Sequence, residues 1–485
     1  MSQPVASLRL ASAAGRGTLL AAILASGMVF LDSTVVNVAL PHLGAALHSD
    51  TAGLQWTVNG FLLTLAAFVL LGGGLGDRFG RRRIFLLGVL WFTGASLLCG
   101  LAQSIEWLIA ARFLQGIGGA LLTPGSLSLI QASFHPDDRG RAIGAWSGLI
   151  GVSTALGPFV GGWLIDALSW RWIFLMNVPL AVLVTLAALR WTPESRDPAV
   201  DTHPGGGDGS RRGRDRSRFD LAGALLGASG LGGVTYALIE ARQFGGGSWR
   251  VVLAAVVGVA AAVAFVLVER HRGGAAMLPP ELFASRLFTV LNCYTVVVYA
   301  ALGGLTFFLA VHLQTVAGYS ALKTGLATLP MTILLLVGSP RAGALATRIG
   351  PRLPLTVGPV VAAVGFVLLR GIGPHAHYWT TVFPGVALFG LGMTMVVAPL
   401  TASVLGAVAD RFAGVASGVN NAASRAGGLL AVAALPLLVG LSEAGYDIPG
   451  EFAVAFRAAM LWCAGLMLGG ALLAALLVHR PAQRH

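Results

Sequence analysis

Fourteen stretches of mostly apolar residues, each about as long as a helix needs to cross a bilayer, leave this 485-residue chain little choice of fold. They run near 18–40, 54–75, 84–103, 107–130, 142–166 and 173–191, then 220–240 and 250–269. Six more follow near 287–314, 325–346, 354–372, 379–400, 414–440 and 454–478. Inside hydrocarbon the backbone has no water to bond, so such stretches span it as helices. Composition agrees, with 56% hydrophobic and only 11% charged residues, where a soluble domain has about 25% charged. The expected class is an all-α, multi-pass membrane protein.

Charge sets the orientation. An even number of spans puts both termini on one side, and that side then holds 24 of the 32 basic residues. Arg171, Arg242, Arg250, Lys323, Arg370 and Arg457 fall on the other, and Arg112 and Arg425 are embedded. Basic loops stay in the cytoplasm, so both ends are expected there. The net charge of +12 is explained by these loops, and no nucleic-acid partner is implied. Thirty-one Arg against a single Lys, with abundant Ala and Gly, points to a GC-rich bacterial genome and hence to the bacterial cytoplasmic membrane. The first span is read as a retained helix, because Asp32 interrupts any signal-peptide core. Cys99, Cys293 and Cys463 fall in apolar runs with no metal-ligand spacing and read as small buried hydrophobes.

Polar breaks divide the chain. Residues 1–191 hold six spans, 192–219 form a Gly/Pro/Arg-rich cytoplasmic linker and 220–269 hold an inserted pair. A second linker covers 270–286, and 287–485 hold six more spans and a short tail. "GGLGDRFGRR" (73–82) and "GALATRIGPR" (343–352) match at five of ten positions, 270 residues apart, each after the second span of its group. The matched position indicates a duplicated six-helix bundle with a pseudo-two-fold axis along the membrane normal.

Two charges lie inside spans. By helical rise, Asp32 and Arg112 sit in the outer half of the membrane at similar depth. A buried carboxylate there either pairs permanently or takes up and releases a proton, and position alone leaves both open. Arg112 shares a helix face with Gln115, Gly116, Gly119 and Thr123. There is no G-x-x-x-x-G-K-[ST] sequence, so uphill work would draw on an ion gradient. One charge crossing 100 mV supplies about 2.3 kcal/mol, roughly a forty-fold cargo gradient. No nucleophile–base or metal constellation suggests an enzyme.

Several segments together resemble the major facilitator superfamily, in particular its fourteen-helix drug/proton antiporter branch, the EmrB/QacA type. "GGLGDRFGRRR" (73–83) is similar to the signature loop between helices 2 and 3, "RFLQGIGGA" (112–120) to the fourth-helix motif, and "GAWSGLIGVSTALGPFVGG" (144–162) to the fifth-helix antiporter motif. "LDSTVVNVALP" (31–41) and "WRWIFLMNVP" (170–179) resemble the drug-antiporter branch. The resemblance implies two six-helix bundles plus two inserted helices. It implies export of lipophilic or cationic drugs by alternating access, with the proton as coupling ion, no cofactor, and a monomer. Asp32 and Arg112 would couple protons. Asp77, with Arg78, Arg81 and Arg82, would form a cytoplasmic latch, the acid facing a helix N-terminus. Gly144, Gly148, Gly157, Pro158, Gly161 and Gly162 would let the fifth helix approach its neighbours closely; Ser153 stands where the pattern usually has Gly. Candidate cavity residues are Asn37, Asn59, Gln115, Asn292, Tyr299, Phe307, Phe308, Met393, Asn421 and Arg425, although lipid-facing positions share much of that composition. A lipid or metabolite exporter or importer on the same fold, and a transport-dead membrane sensor, remain alternatives.

Overall fold

The computed structural model describes residues 8–195, 221–272, 278–409, 412–442, 445–446 and 448–478, and fourteen of its helices are long and apolar enough to cross a membrane. Six form the first bundle: α1 (Ala13–Leu47), α2 (Thr51–Phe79), α3 (Arg81–Gly100), α4 (Ile105–Ser133), α5 (Pro136–Ala167) and α6 (Trp172–Leu175, continued by Asn177–Trp191). An inserted pair follows, α7 (Leu221–Glu240) and α8 (Trp249–Arg272). The second bundle comprises α9 (Arg286–Thr315), α10 (Ala321–Ile349), α11 (Arg352–Leu369), α12 (Tyr378–Gly406), α13 (Ala413–Leu438) and α14 (Pro449–Leu477). Most of the Arg-rich linker, residues 196–220, lies outside the described residues.

Several helices outrun the apolar stretches that announce them, because polar caps carry the backbone past the hydrophobic edge. Ser12, Asp50, Ser104, Ser285 and Ser320 each accept the amide of the residue three positions on, at 2.7–3.3 Å, starting α1, α2, α4, α9 and α10. At the matched repeat, the α2–α3 and α10–α11 corners turn on Gly80 (φ 106°) and Gly350 (φ 85°), which occupy the same place in the two ten-residue segments. Only glycine takes such a φ without steric cost.

The pseudo-two-fold is visible in the packing. In the first bundle α1 packs on α5 and α6, and α4 packs on α2 and α3; in the second, α9 packs on α13 and α14, and α12 on α10 and α11. Across the seam α5 meets α10 and α2 meets α13, the same relation read in both directions. The lipid side is apolar: α8 exposes Val252, Leu253, Val256, Val259, Val263 and Leu267. Cys293 also faces outward, whereas Cys99 and Cys463 are buried. Helices α7 and α8 touch backbone to backbone at Gly233 and Gly258, where an added Cβ would meet main-chain atoms at 2.7 Å. Helix α7 lies over the α2–α13 seam. The Trp56 indole donates to Glu240 (2.8 Å), and the Arg242 guanidinium donates to the Pro436 carbonyl (2.7 Å), so the pair is fastened to both bundles.

The bundles meet at the end away from the chain's N-terminus, called here the far end. There Gln55 donates to the carbonyls of Val432 (2.6 Å) and Ala433 (3.1 Å), Thr51 to that of Ser442 (3.2 Å), and Gln314 to that of Val38 (2.9 Å). Asp166 on α5 accepts the first amides of α10, from Ala321 (3.2 Å) and Leu322 (2.9 Å). A carboxylate at a helix N-terminus is favourable because that end carries partial positive charge. At the opposite, N-terminal end, Gly140, Gly144 and Gly148 of α5 face open space, with nothing within 4 Å of an added Cβ. The molecule is closed at the far end and open at the other.

Gln55 is 2% exposed, and Gln55→Leu would fill its space without its donors. Loss of such buried hydrogen bonds costs about 1–3 kcal/mol, shifting roughly 5- to 150-fold of population away from the far-end-closed state. Spin labels at Gln103 and His375, on far-end loops of the two bundles, should report a longer distance population in the variant.

Candidate functional site

Asp32 and Arg112 form a buried ion pair. Arg112 Nη1 lies 2.5 Å from Asp32 Oδ2, and both side chains are 1% exposed. The same nitrogen donates to Gln115 Oε1 (2.7 Å), and Nε donates to the Thr57 carbonyl (3.0 Å). The guanidinium also lies over the Phe61 ring, 4.3 Å from its centre. Gln115 closes the circuit, its amide nitrogen donating to Asp32 Oδ1 at 2.8 Å and to Ser96 at 3.3 Å. Asn177 donates to Ser96 in turn (2.9 Å). Both carboxylate oxygens therefore accept from donors, the arrangement an ionised carboxylate takes. Helices α1, α2, α3, α4 and α6 all contribute. Gln115 belongs to this network and does not line the cavity.

Helix α1 continues seven residues past Leu40, to Leu47. Asp32 therefore lies further from its helix end than Arg112 does from the start of α4, and the two meet because α1 projects beyond α4 there.

A cavity of about 710 Å³ lies between the bundles, walled by α1, α5, α9, α10 and α12. Asn37, Tyr299 and Met393 line it, as the sequence suggests. Other expected lining residues do not. Phe307 and Phe308 are fully buried and pack edge-on and stacked against Tyr446 and Phe452. The cavity face of α9 is Tyr299, Leu302, Leu305, Thr306, Leu309 and Ala310, spaced as one helical stripe, and positions 307 and 308 turn away from it. Asn292 is held within the second bundle by the Phe288 carbonyl (2.9 Å) and by Asn420 (3.4 Å). Asn59 is fully buried on α2, outside the cavity wall, as is half-buried Asn421. Arg425 is not among the lining residues but borders them, its guanidinium 5.0 Å from the ring centre of cavity-lining Phe30.

Asp32 is on the wrong side of α1 to touch cargo. Phe30, Thr34, Asn37 and Val38 face the cavity. At about 100° per residue Asp32 points some 200° away from Phe30, into the first bundle. Helix α1 thus carries the ion pair on one face and the cavity wall on the other.

The fifth-helix motif divides by depth. Gly144 and Gly148 line the open part of the cavity, and Pro158 lines its far-end part. Gly157 abuts Thr34, and Gly161 abuts Val35, both on α1; Gly162 meets the Ala321–Leu322 backbone across the seam. At the Arg-rich corner, the Arg82 amide donates to Glu194 (3.1 Å) and its guanidinium to the Thr192 carbonyl (3.1 Å), while Arg83 pairs with Glu194 at 3.7 Å. Arg78 lies over the Phe79 ring (5.4 Å), and the Arg81 amide donates to the Ser195 carbonyl (2.9 Å). The Asp77 side chain lies outside the described residues. An acid against a helix N-terminus, which the resemblance implies for Asp77, is present at the far end in Asp166.

Sequence reasoning missed two things. One is Asp166, whose partner is 155 positions away. The other is a hydroxyl stripe on α10, Thr324, Thr328, Thr332 and Ser339, all lining the cavity. Its i+4 spacing was legible, but hydroxyls also bond their own helix, as Thr328 does to the Gly325 carbonyl (2.9 Å).

Two pseudo-symmetric helical bundles that close a central cavity at one end and open it at the other define an alternating-access carrier. The model of the Major Facilitator Superfamily matches residues 22–432, and the chain belongs to that superfamily. It is 36% identical to a probable actinorhodin transporter of Streptomyces coelicolor, over 85% of this chain and 70% of the relative. A puromycin resistance protein of Streptomyces alboniger is 38% identical over 84% and 78% of the two chains. A methylenomycin A resistance protein of Bacillus subtilis is 34% identical over 90% of each. Among solved structures, a bacterial homologue of the human lysosomal transporter Spinster, in an inward-facing and unoccupied conformation, superposes with a TM-score of 0.64. It is 18% identical and covers 98% of this chain and 100% of that one, a likeness of fold.

Proposed function

We propose that this chain is a proton-driven exporter of lipophilic, antibiotic-like small molecules. It is a drug-efflux transporter, in keeping with antibiotic export and resistance proteins that match it over most of their length. Proton coupling is the further step. The observation that carries it is the position of Asp32: a carboxylate sealed inside the first bundle, on the helix whose opposite face walls the cavity. Protonation would remove the charge that holds Arg112 and Gln115, loosen α1 against α2 and α4, and so favour the outward-open state. The coupling is through α1 rather than by cargo touching the carboxylate. The chain needs no cofactor in this reading and acts as a monomer.

The basic loops support placing both termini in the cytoplasm of a bacterial cell. The open end is then the cytoplasmic one, where cargo for export loads. Asp77, Arg78, Arg81 and Arg82 would latch that end once the bundles rock the other way. Among the described residues no acid lines the cavity, and its walls are largely aliphatic, aromatic and hydroxyl-bearing. Those walls favour lipophilic cargo over cations, because a buried cation needs a counter-charge.

The test is a drug-susceptibility and accumulation panel in an efflux-deficient bacterium, with and without an uncoupler. Expression should lower accumulation of lipophilic compounds, and collapsing the proton gradient should restore it to the level of the empty host. Export that persists with both pH and electrical gradients collapsed overturns proton coupling.

A further inference from the structure

Two arginines are embedded in the helical interior, and they are not alike. Arg112 is 1% exposed and answered by a carboxylate, an amide oxygen and a backbone carbonyl. Arg425 sits at the midpoint of α13, only half-buried, with the Phe30 ring below its guanidinium at 5.0 Å. The Tyr299 phenol is within its electrostatic reach. Among the described residues no carboxylate pairs with it. Phe30 and Tyr299 both line the cavity, so the charge stands at the cavity's edge.

We propose that Arg425 is the counter-charge for an acidic group on the cargo, so that the cavity takes amphiphilic compounds bearing a carboxylate or an ionised phenol or enol. This rests on the efflux reading and narrows its substrate class. A fixed charge without an opposite charge in a membrane interior is costly, and it persists where a ligand or ion pathway uses it. Among the described residues Arg425 has a neighbouring ring but no acid, and none of those lining the cavity is Asp, Glu, Lys, Arg or His. A cationic cargo would find no counter-charge there and would meet a like one. An anionic cargo would find a guanidinium able to give a charge-assisted, bidentate hydrogen bond. The rest of the cavity suits the body of such a molecule. Leu302, Leu309, Met331 and Met393 offer apolar surface. The Thr324 hydroxyl, fully buried in the cavity wall and without a hydrogen-bond partner, is free to bind a carbonyl or hydroxyl of the cargo.

The experiment uses the full chain and three probes: a hydroxyanthraquinone carboxylic acid, its neutral methyl ester, and a lipophilic quaternary ammonium. With purified wild-type protein, quenching of intrinsic tryptophan fluorescence should show the acid binding at least about tenfold tighter than the ester, the scale of one hydrogen bond to a charged group. Equal affinities overturn the proposal without any variant. In the efflux-deficient host, Arg425→Gln should lose export of the acid by about tenfold or more while keeping the ester within about twofold, and Arg425→Lys should retain part of the acid export. Acid export unchanged in Arg425→Gln overturns the proposal. So does an equal fall for acid and ester at wild-type membrane levels, which assigns Arg425 to packing. If the wild-type protein exports none of the three probes, it is the efflux reading that fails.

Discussion

Asp32→Asn is expected to reduce proton-driven export to the background of empty liposomes while the protein remains in the membrane. The carboxylate accepts from Arg112 through one oxygen and from Gln115 through the other. Asparagine keeps the shape and one acceptor, but it turns an NH2 toward a donor and leaves Arg112 charged and unpaired. Breaking one side of a buried pair costs about 3–5 kcal/mol, so a lower melting temperature in detergent should accompany the loss of transport. A second variant separates the two effects. Asp32→Asn combined with Arg112→Gln removes both charges, and a neutral polar pair of similar volume should recover most of the lost thermal stability. Transport should not recover, because the carboxyl that α1 holds against Arg112 can then no longer gain or lose a proton. Proteoliposomes with an imposed pH gradient, together with thermal unfolding of the purified variants, give both readouts. Drug/proton exchange retained in Asp32→Asn removes this carboxyl from the mechanism. Recovery of exchange in the double variant would show that pairing, not protonation, is what matters.

The fold was legible because hydrocarbon imposes a simple rule on sequence: twenty apolar residues make a helix, and basic loops mark a side. The repeat was legible because Gly80 and Gly350 must both take a positive φ at equivalent corners. Depth brought Asp32 and Arg112 into consideration together but left open whether they pair, which the structure answers. The cavity was harder. Which face of α9 meets cargo depends on how it packs against α14, and the sequence gives Phe307 and Phe308 the same character as a true lining residue such as Leu309. Phe452 decides the matter by stacking on Phe308, from 144 positions away. Asp166 reads as an ordinary acid at a helix end until α10 is placed beside it. Helix character is local, whereas which face meets the cavity is set by long-range packing.

Gly325→Leu should trap the carrier with its far end open and stop export. An added Cβ at Gly325 would stand 2.1 Å from the Pro158 carbonyl oxygen and 2.5 Å from its carbon. Both are main-chain atoms of the opposite bundle, with no rotamer to move aside. Gly162 faces the Ala321 carbonyl at 2.4 Å in the same contact, so this part of the α5–α10 seam closes backbone on backbone. Moving a two-state equilibrium from 99:1 to 1:99 takes about 5.5 kcal/mol. A leucine wedged between two backbones, which also pulls the α10 amides away from Asp166, is on that scale. Cargo could then load only from outside, and the cycle could not return. The readout is labelling of Asn37→Cys, in a background with Cys99, Cys293 and Cys463 replaced, by a membrane-impermeant maleimide applied outside. Asn37 lines the cavity and is 9% exposed. It should label at least about tenfold faster in Gly325→Leu than in its parent, a shift of about 1.4 kcal/mol or more. Gly94→Ala, on the exposed face of α3 and away from the cavity, is the control. Its Cβ would meet nothing within 4 Å, and alanine is the better helix former by about 1 kcal/mol, so accessibility and export should both stay near the parent values. Wild-type export by Gly325→Leu would mean that the far-end seam does not have to close for transport, and that the α5–α10 contact is not the gate.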